Sequence, residues 1–440
     1  MSASWKALTL RDFPPDREIP MPNRTGADPA LKFSGHQKIV IAMLAFLQFA
    51  VIIDFMLMAP LGALIMPALG ATTAQFGSVV SAYAFAAGVS GFLTAGFADR
   101  FDRKKLLLFF YAGFIAGTAW CGLAGSFESL LLARIVTGLF GGVIGSIVLA
   151  IATDLFVPQV RGRVMGFIQT AFAASQILGI PIGIYLSNHW NWQVPFLALA
   201  VLGLAIGLLI AFLMRPVNEH LKTPQERSPF AHLVHTLMDP RHAISFVSVL
   251  FLTTGGFMLM PFSSAFTVNN LGIALEQLPI IYLVTGIATI FAGPIVGKAS
   301  DAFGKLRTFY AGTAMTVVMV LIYTHLTHAT LVEVVIINIL MFLGIFSRMI
   351  PFQALMTQVP VPTHRGAFNA VNASISQLAG GLAAVVAGHI VQQGADGKLH
   401  HYDVAGYVVV LTSVIACYLM WRVERGIRGE AVVGEKLAAH

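Results

Sequence analysis

Between Lys38 and Arg422 the chain is a succession of long apolar runs, nearly free of charge and separated by short polar segments. A bilayer core about 30 Å thick takes roughly 20 apolar residues in a helix that rises about 1.5 Å per residue, and runs of that length fill the chain. The runs predict six membrane spans near residues 38–66, 76–98, 106–125, 128–156, 164–187 and 193–214. Six more are expected near 242–270, 277–300, 307–326, 330–358, 366–392 and 403–424. Residues 215–241 carry Pro216, Pro224, Pro229 and Pro240 among charges and read as a loop or interfacial linker between the two sets. The expected organisation is a tail over 1–37, a six-helix bundle over 38–214, the linker over 215–241, a second bundle over 242–424 and a tail over 425–440.

The distribution of basic residues orients this map. Of 27 lysines and arginines, 24 fall in the tails, the linker and the loops after even-numbered spans. Only Lys398 lies on the other side, with Arg134 and Arg348 inside spans. Cytoplasmic loops collect lysine and arginine, so both tails are expected in the cytoplasm and the span count is even. Composition agrees: 57% of residues are hydrophobic, 11% are charged, and mean hydropathy is +0.79, values foreign to a water-solvated domain. The net charge of +7 is scattered in short inter-span clusters, which excludes a nucleic-acid surface. The first 35 residues are polar and proline-rich, and the apolar run behind them is too long for a signal peptide, so they are expected to stay attached as a tail. Cys121 and Cys417 sit inside spans without disulfide or zinc spacing. Met56 and Met58, two residues apart, do not share a helix face and could not chelate copper unless the helix broke there, so neither metal nor cofactor is expected.

The two sets of spans repeat. Phe55-Met56-Leu57-Met58 recurs as Phe257-Met258-Leu259-Met260, and at the same offset Gly91 meets Gly293, Asp99 meets Asp301 and Arg103 meets Lys305. Arg161-Gly162 recurs as Arg365-Gly366. The expected fold is therefore all-α and polytopic: two pseudo-symmetric six-helix bundles about an axis along the membrane normal, with a substrate path between them.

Three stretches carry a family resemblance. Ala95-Gly96-Phe97-Ala98-Asp99-Arg100-Phe101-Asp102-Arg103-Lys104-Lys105, and its counterpart from Gly297 to Lys305, resemble the loop signature of the major facilitator superfamily, with Ala95 and Asp102 where the family has glycines. Arg134-Ile135-Val136-Thr137-Gly138 is similar to the arginine motif of its proton-coupled members. Gly179-Ile180-Pro181-Ile182-Gly183 resembles the antiporter signature of twelve-span drug- and sugar-efflux permeases, its proline one place late. The resemblance implies a secondary transporter that exports a small organic molecule in exchange for protons by alternating access, as a monomer in a bacterial inner membrane. A proton-coupled importer and a non-transporting sensor or scaffold are the alternatives. No Gly-x-x-x-x-Gly-Lys-Ser/Thr run is present to bind ATP, and no nucleophile-and-base set points to an enzyme.

Asp54 is the one acid deep in a predicted span, which makes it the candidate proton-coupling site or half of a permanent ion pair. Arg134 lies about two turns from the outer end of span four, with Asp54 somewhat deeper from the same side, and keeps its charge at any relevant pH, so it would control the carboxylate's proton affinity or lock helices together. Arg348, near the middle of span ten, has no repeat partner, because Ile144 holds the equivalent place. It could neutralise Asp54 across the cavity, bind an anionic or polar substrate, or pack against span eleven. Further candidate substrate contacts are Tyr83, Gln169, Gln176, Gln353, Asn369, Asn372 and Gln377, each of which could instead bond a neighbouring helix. Asp99, Arg100, Arg103 and Asp301 of the loop signatures are candidate gating residues, or simply hold the loops inside. The small residues Gly138, Gly141, Gly142 and Gly145 mark a close helix contact on span four.

Overall fold

The computed structural model describes residues 33–218, 221, 229–361 and 365–438, so the expected tail up to residue 32 and part of the linker lie outside the described residues. Twelve helices are long and apolar enough to cross a membrane: Gly35–Leu57, Thr73–Thr94, Arg103–Leu123, Phe127–Leu155, Gln159–His189, Val194–Leu213, Pro240–Asn269, Leu275–Phe303, Lys305–His325, Leu331–Met356, Arg365–Ile390 and Tyr402–Ile427, here spans one to twelve. An even number of crossings puts the start of span one and the end of span twelve on one face, the terminal face. The last helix continues through the expected tail to Ala438, and the linker holds a helix over Pro229–Met238.

Local sequence explains the ends and interruptions. Spans two and ten begin with capping boxes at Thr72/Gln75 and Thr330/Glu333, where side chain and backbone satisfy each other's free N–H groups. Asp239 caps span seven, accepting from Arg241 N and from the Arg241 guanidinium, contacts that hold its carboxyl pKa below the usual value. Span one ends at Leu57, just before Pro60, and a short helix Gly62–Leu69 carries the chain onward. Span seven breaks in the corresponding place, at Met260–Phe262 around Pro261. Proline has no N–H to give the helix, so the duplicated sequence produces a duplicated break.

The halves meet along two seams. Spans two and eleven pack closely along their length: a Cβ added at Gly77 would meet Ala384 O at 2.6 Å, and one at Gly88 would meet Ser374 O at 3.1 Å. Spans five and eight touch at mid-depth, where a Cβ on Gly286 would meet the Gln176 backbone at 3.1 Å, and near the opposite face, where Asn188 Nδ2 donates to Leu275 O at 2.9 Å. Toward the terminal face the same helix faces carry Gly162 and Gly166 on span five and Gly293 and Gly297 on span eight. None of these has any atom within 4 Å of an added Cβ. The molecule is thus shut on the opposite face and spread on the terminal face along this seam. Between spans eleven and twelve a small antiparallel hairpin pairs Gln392 with His400 and Gln393 with Leu399. Asn270 pins it to the end of span seven through Leu399 N and Leu399 O, at 2.9 and 2.8 Å.

Candidate functional site

Asp54 lies one turn before the break in span one, with no exposed surface. Arg134 Nη1 of span four, equally enclosed, donates to Asp54 Oδ2 at 2.7 Å and to the Asp54 backbone oxygen at 3.4 Å. Thr118 of span three donates to Oδ1 at 3.1 Å. The guanidinium also stacks over the Tyr83 ring of span two, 4.6 Å from its centroid. Four helices of the first half therefore converge on one buried, formally neutral pair. Taking one member away leaves the other uncompensated, at a cost of about 3–5 kcal/mol. The pair settles which arginine faces Asp54: it is Arg134, and Arg348 makes no bond to it.

The motif glycines gain their meaning from this pair. Gly138 and Gly142 let span four lie directly on Tyr83 and Ala87 of span two; a Cβ on Gly142 would come 2.5 Å from Ala87 Cα. This is the close packing read from the sequence, and it sets Tyr83 against Arg134. The run Gly179-Ile180-Pro181-Ile182-Gly183 follows a wide turn of π-helix over Ser175–Gly179, the distortion expected where Pro181 cannot bond back to Ile177. A Cβ at Gly179 would strike Ile53 Cδ1 at 2.6 Å, and one at Gly183 would strike Leu57 Cδ1 at 2.5 Å. The antiporter-like run thus seats span five on the residues that flank Asp54.

Tyr83 is buried beside the pair, its ring 5.1 Å from Phe55, and does not face open space. Phe55 in turn lies 5.8 Å from Phe257, so the two copies of the repeated tetrapeptide meet at the interface of the halves. Gln169 and Gln353 are exposed, Gln377 is half-buried and Asn369 is exposed. Gln176 is buried at the span five to span eight contact, and Asn372 has a buried, unpartnered Oδ1 among the described residues. Arg348 is 4% exposed, on the face of span ten that carries Gly344 and Ser347 against Gly312 of span nine. Its Nε and Nη2 are buried and have no hydrogen-bond partner among the described residues.

Among the described contacts, the candidate gating residues are seen to bond only within the first half. Arg103 pairs with Asp154 at 3.2 Å, joining the start of span three to the end of span four within the first half. Arg100 and Asp301 are exposed, and the Asp99 side chain lies outside the described residues. The two loop signatures also turn differently. Gly304 adopts φ 94°, open to glycine at little cost, whereas its counterpart Asp102 keeps an ordinary φ of −56° and caps span three through Lys105 N at 3.0 Å. Asp154 and Thr118 were not singled out in the sequence. Asp154 could have been, as an acid at the terminal-face end of a span; Thr118 is indistinguishable from any other threonine in a span until the helices pack.

The sequence profile of the Major Facilitator Superfamily matches residues 44–384 and 246–435. The chain belongs to the Major Facilitator Superfamily. This facilitator is 28% identical over 268 residues to the uncharacterized MFS-type transporter YceJ of Bacillus subtilis, covering 60% of this chain and 67% of that protein. It is 24% identical over 354 residues to YbcL of the same organism, covering 80% and 88%. It is 24% identical over 283 residues to the putative transporter AraJ of Escherichia coli, covering 64% and 70%. Among solved structures, a bacterial homologue of the human lysosomal transporter Spinster, inward-facing and unoccupied, superposes with TM-score 0.71 at 17% identity over 90% of this chain and 99% of that one. A mutant of the nucleoside transporter NupG gives 0.69 at 14% identity over 88% and 99%. The facilitator is a multi-pass membrane transporter, and its relatives are transporters rather than enzymes.

Proposed function

We propose that this facilitator exports a small organic molecule by proton antiport, with Asp54 taking and releasing the proton and Arg134 setting its affinity. The observation that carries this reading is the fully buried pair of 2.7 Å held next to the proline break of span one. A proton arriving at Asp54 cancels the carboxylate and would strand Arg134. Two fallback contacts are already in place: the Asp54 backbone oxygen and the Tyr83 ring, a desolvated cation–π contact of about 2 kcal/mol or more. Protonation thereby weakens the tie between spans one and four to the backbone contact while the Tyr83 ring of span two still holds the arginine, and span five, seated on Ile53 and Leu57, transmits the movement to the seam with span eight.

The spread of spans five and eight on the terminal face, which the basic residues assign to the cytoplasm, supports opening inward along that one seam while spans two and eleven stay closed. Gln169, Gln353, Asn372 and Gln377 are the polar groups offered to a substrate there. The bundles over 38–214 and 242–424 act as the rocking units, in a bacterial inner membrane. The antiporter-like glycine-proline run favours export over import.

The test is substrate-dependent proton movement in proteoliposomes loaded with a pH dye, over sugars, amphipathic drugs and lipid-like compounds. Wild type is expected to move protons with at least one compound, and Asp54→Asn to lose that coupling by about 100-fold or more, the scale set by general acid–base groups. Equal proton movement in both proteins would make Asp54 structural and overturn the mechanism.

A further inference from the structure

Arg348 poses a problem that Arg134 does not. Both are arginines enclosed in a six-helix bundle, and both keep their charge at every relevant pH. Arg134 has Asp54. The repeat gives Arg348 no such partner: Gly256 stands where Asp54 would recur, and Asn338 where Arg134 would. Around Arg348 the walls are polar but uncharged. Cys417 of span twelve lies close to it and Ser347 adjoins it in the chain. No carboxylate among the described residues bonds it.

The unmet donors are two particular atoms, Nε and Nη2. In a guanidinium their N–H bonds lie parallel along one edge, the fork that receives both oxygens of a carboxylate. A monoanion there neutralises the single positive charge, whereas a phosphate dianion would leave an excess negative charge in the same enclosure. Eight residues separate Arg348 from the end of its helix at Met356, about 12 Å at the helical rise, so the fork lies within reach of the terminal face.

We propose that the Nε/Nη2 edge of Arg348 binds the carboxylate of the transported molecule, so that the cargo is an organic acid. This rests on the chain being a transporter and not on proton coupling through Asp54. The probes are acetate, benzoate and decanoate, each beside its amide, added to the purified full-length protein at constant ionic strength. Melting temperature reads binding, and labelled-acid counterflow in proteoliposomes reads transport.

At least one acid should raise the melting temperature saturably while its amide does not, and the same acid should show counterflow. Arg348→Met should weaken that binding at least about 30-fold, as loss of a forked charged contact does, and Arg348→Lys, which has no fork, about tenfold. Arg348→Met should fold at least as well as wild type without ligand, since it removes an uncompensated charge; if it does not, Arg348→Gln carries the same binding comparison. Three results overturn the proposal: equal response to acids and amides, undiminished acid binding in the Met or Gln variant, or acid binding without counterflow, which would make the anion a resident one. Proton movement driven by the amides alone would also overturn it while leaving Asp54-coupled antiport intact.

Discussion

The two halves share one architecture and differ in their charges. The first half encloses a cation together with its counter-ion, the Arg134–Asp54 pair at 2.7 Å; the second encloses Arg348 with two donors that find no partner among the described residues. Duplication reproduced the helices, the proline breaks and the Phe-Met-Leu-Met contact, because each half must bury the same kind of surface against the other. Charge was not reproduced, since each buried ion is expensive unless something compensates it. A neutral resting pair suits a site that exchanges protons. An uncompensated cation suits one that waits for a ligand.

The largest effect that can break this comparison is on folding. Arg134→Met leaves Asp54 buried alone and should destabilise the protein by about 3–5 kcal/mol, measured as denaturation in detergent, whereas Arg348→Met should cost nothing. Adding Asp54→Asn to Arg134→Met should restore most of the loss. Equal costs for the two arginine variants would mean that both cations are paired, and the contrast between halves would fall.

A smaller effect sharpens the contrast at the seam. Gly183→Val drives a side chain into Leu57 beside the pair and should cost about 1–3 kcal/mol, with transport lost in proportion. Gly297→Val, on the spread side of span eight, adds a Cβ with no atom within 4 Å and should leave resting stability unchanged. Its effect should appear only in turnover, where closure of spans five and eight on the terminal face requires that space. Unchanged turnover would show that this stretch does not close.

The smallest effect concerns helix ends. Asp239→Ala, at the head of span seven, should cost about 0.5–2 kcal/mol, as the loss of a cap does. Because Arg241 depresses its pKa, Asp239 contributes fully above the ordinary carboxylate value near about 4 and loses that contribution as pH falls through the depressed value. The wild type minus Asp239→Ala difference should therefore shrink only in strong acid. A difference constant down to the lowest pH would remove the Arg241 contact as its cause.

Much of this facilitator follows from the chain read alone. Helices in a bilayer satisfy their own backbone, so uncharged length was enough to place eleven of the twelve spans within about five residues, and the repeat was enough to pair them; span one, expected to residue 66, ends at Leu57 because the chain breaks ahead of Pro60. Asp54 and Arg134 were legible for the same reason: a charge inside an apolar run is an exception that needs a cause. Contacts between helices were not legible. Nothing in the order of residues says that Thr118 donates to Asp54, that Arg103 finds Asp154, or that Gly183 seats on Leu57. Nor could it say which arginine would meet the single deep acid. That depends on the rotation of each helix about its axis, and packing sets the rotation, since lipid gives apolar faces no preference among neighbours. Sequence determined the spans, their repeat and the few charges that matter; tertiary packing decided that one of those charges is answered from within the protein and the other is not.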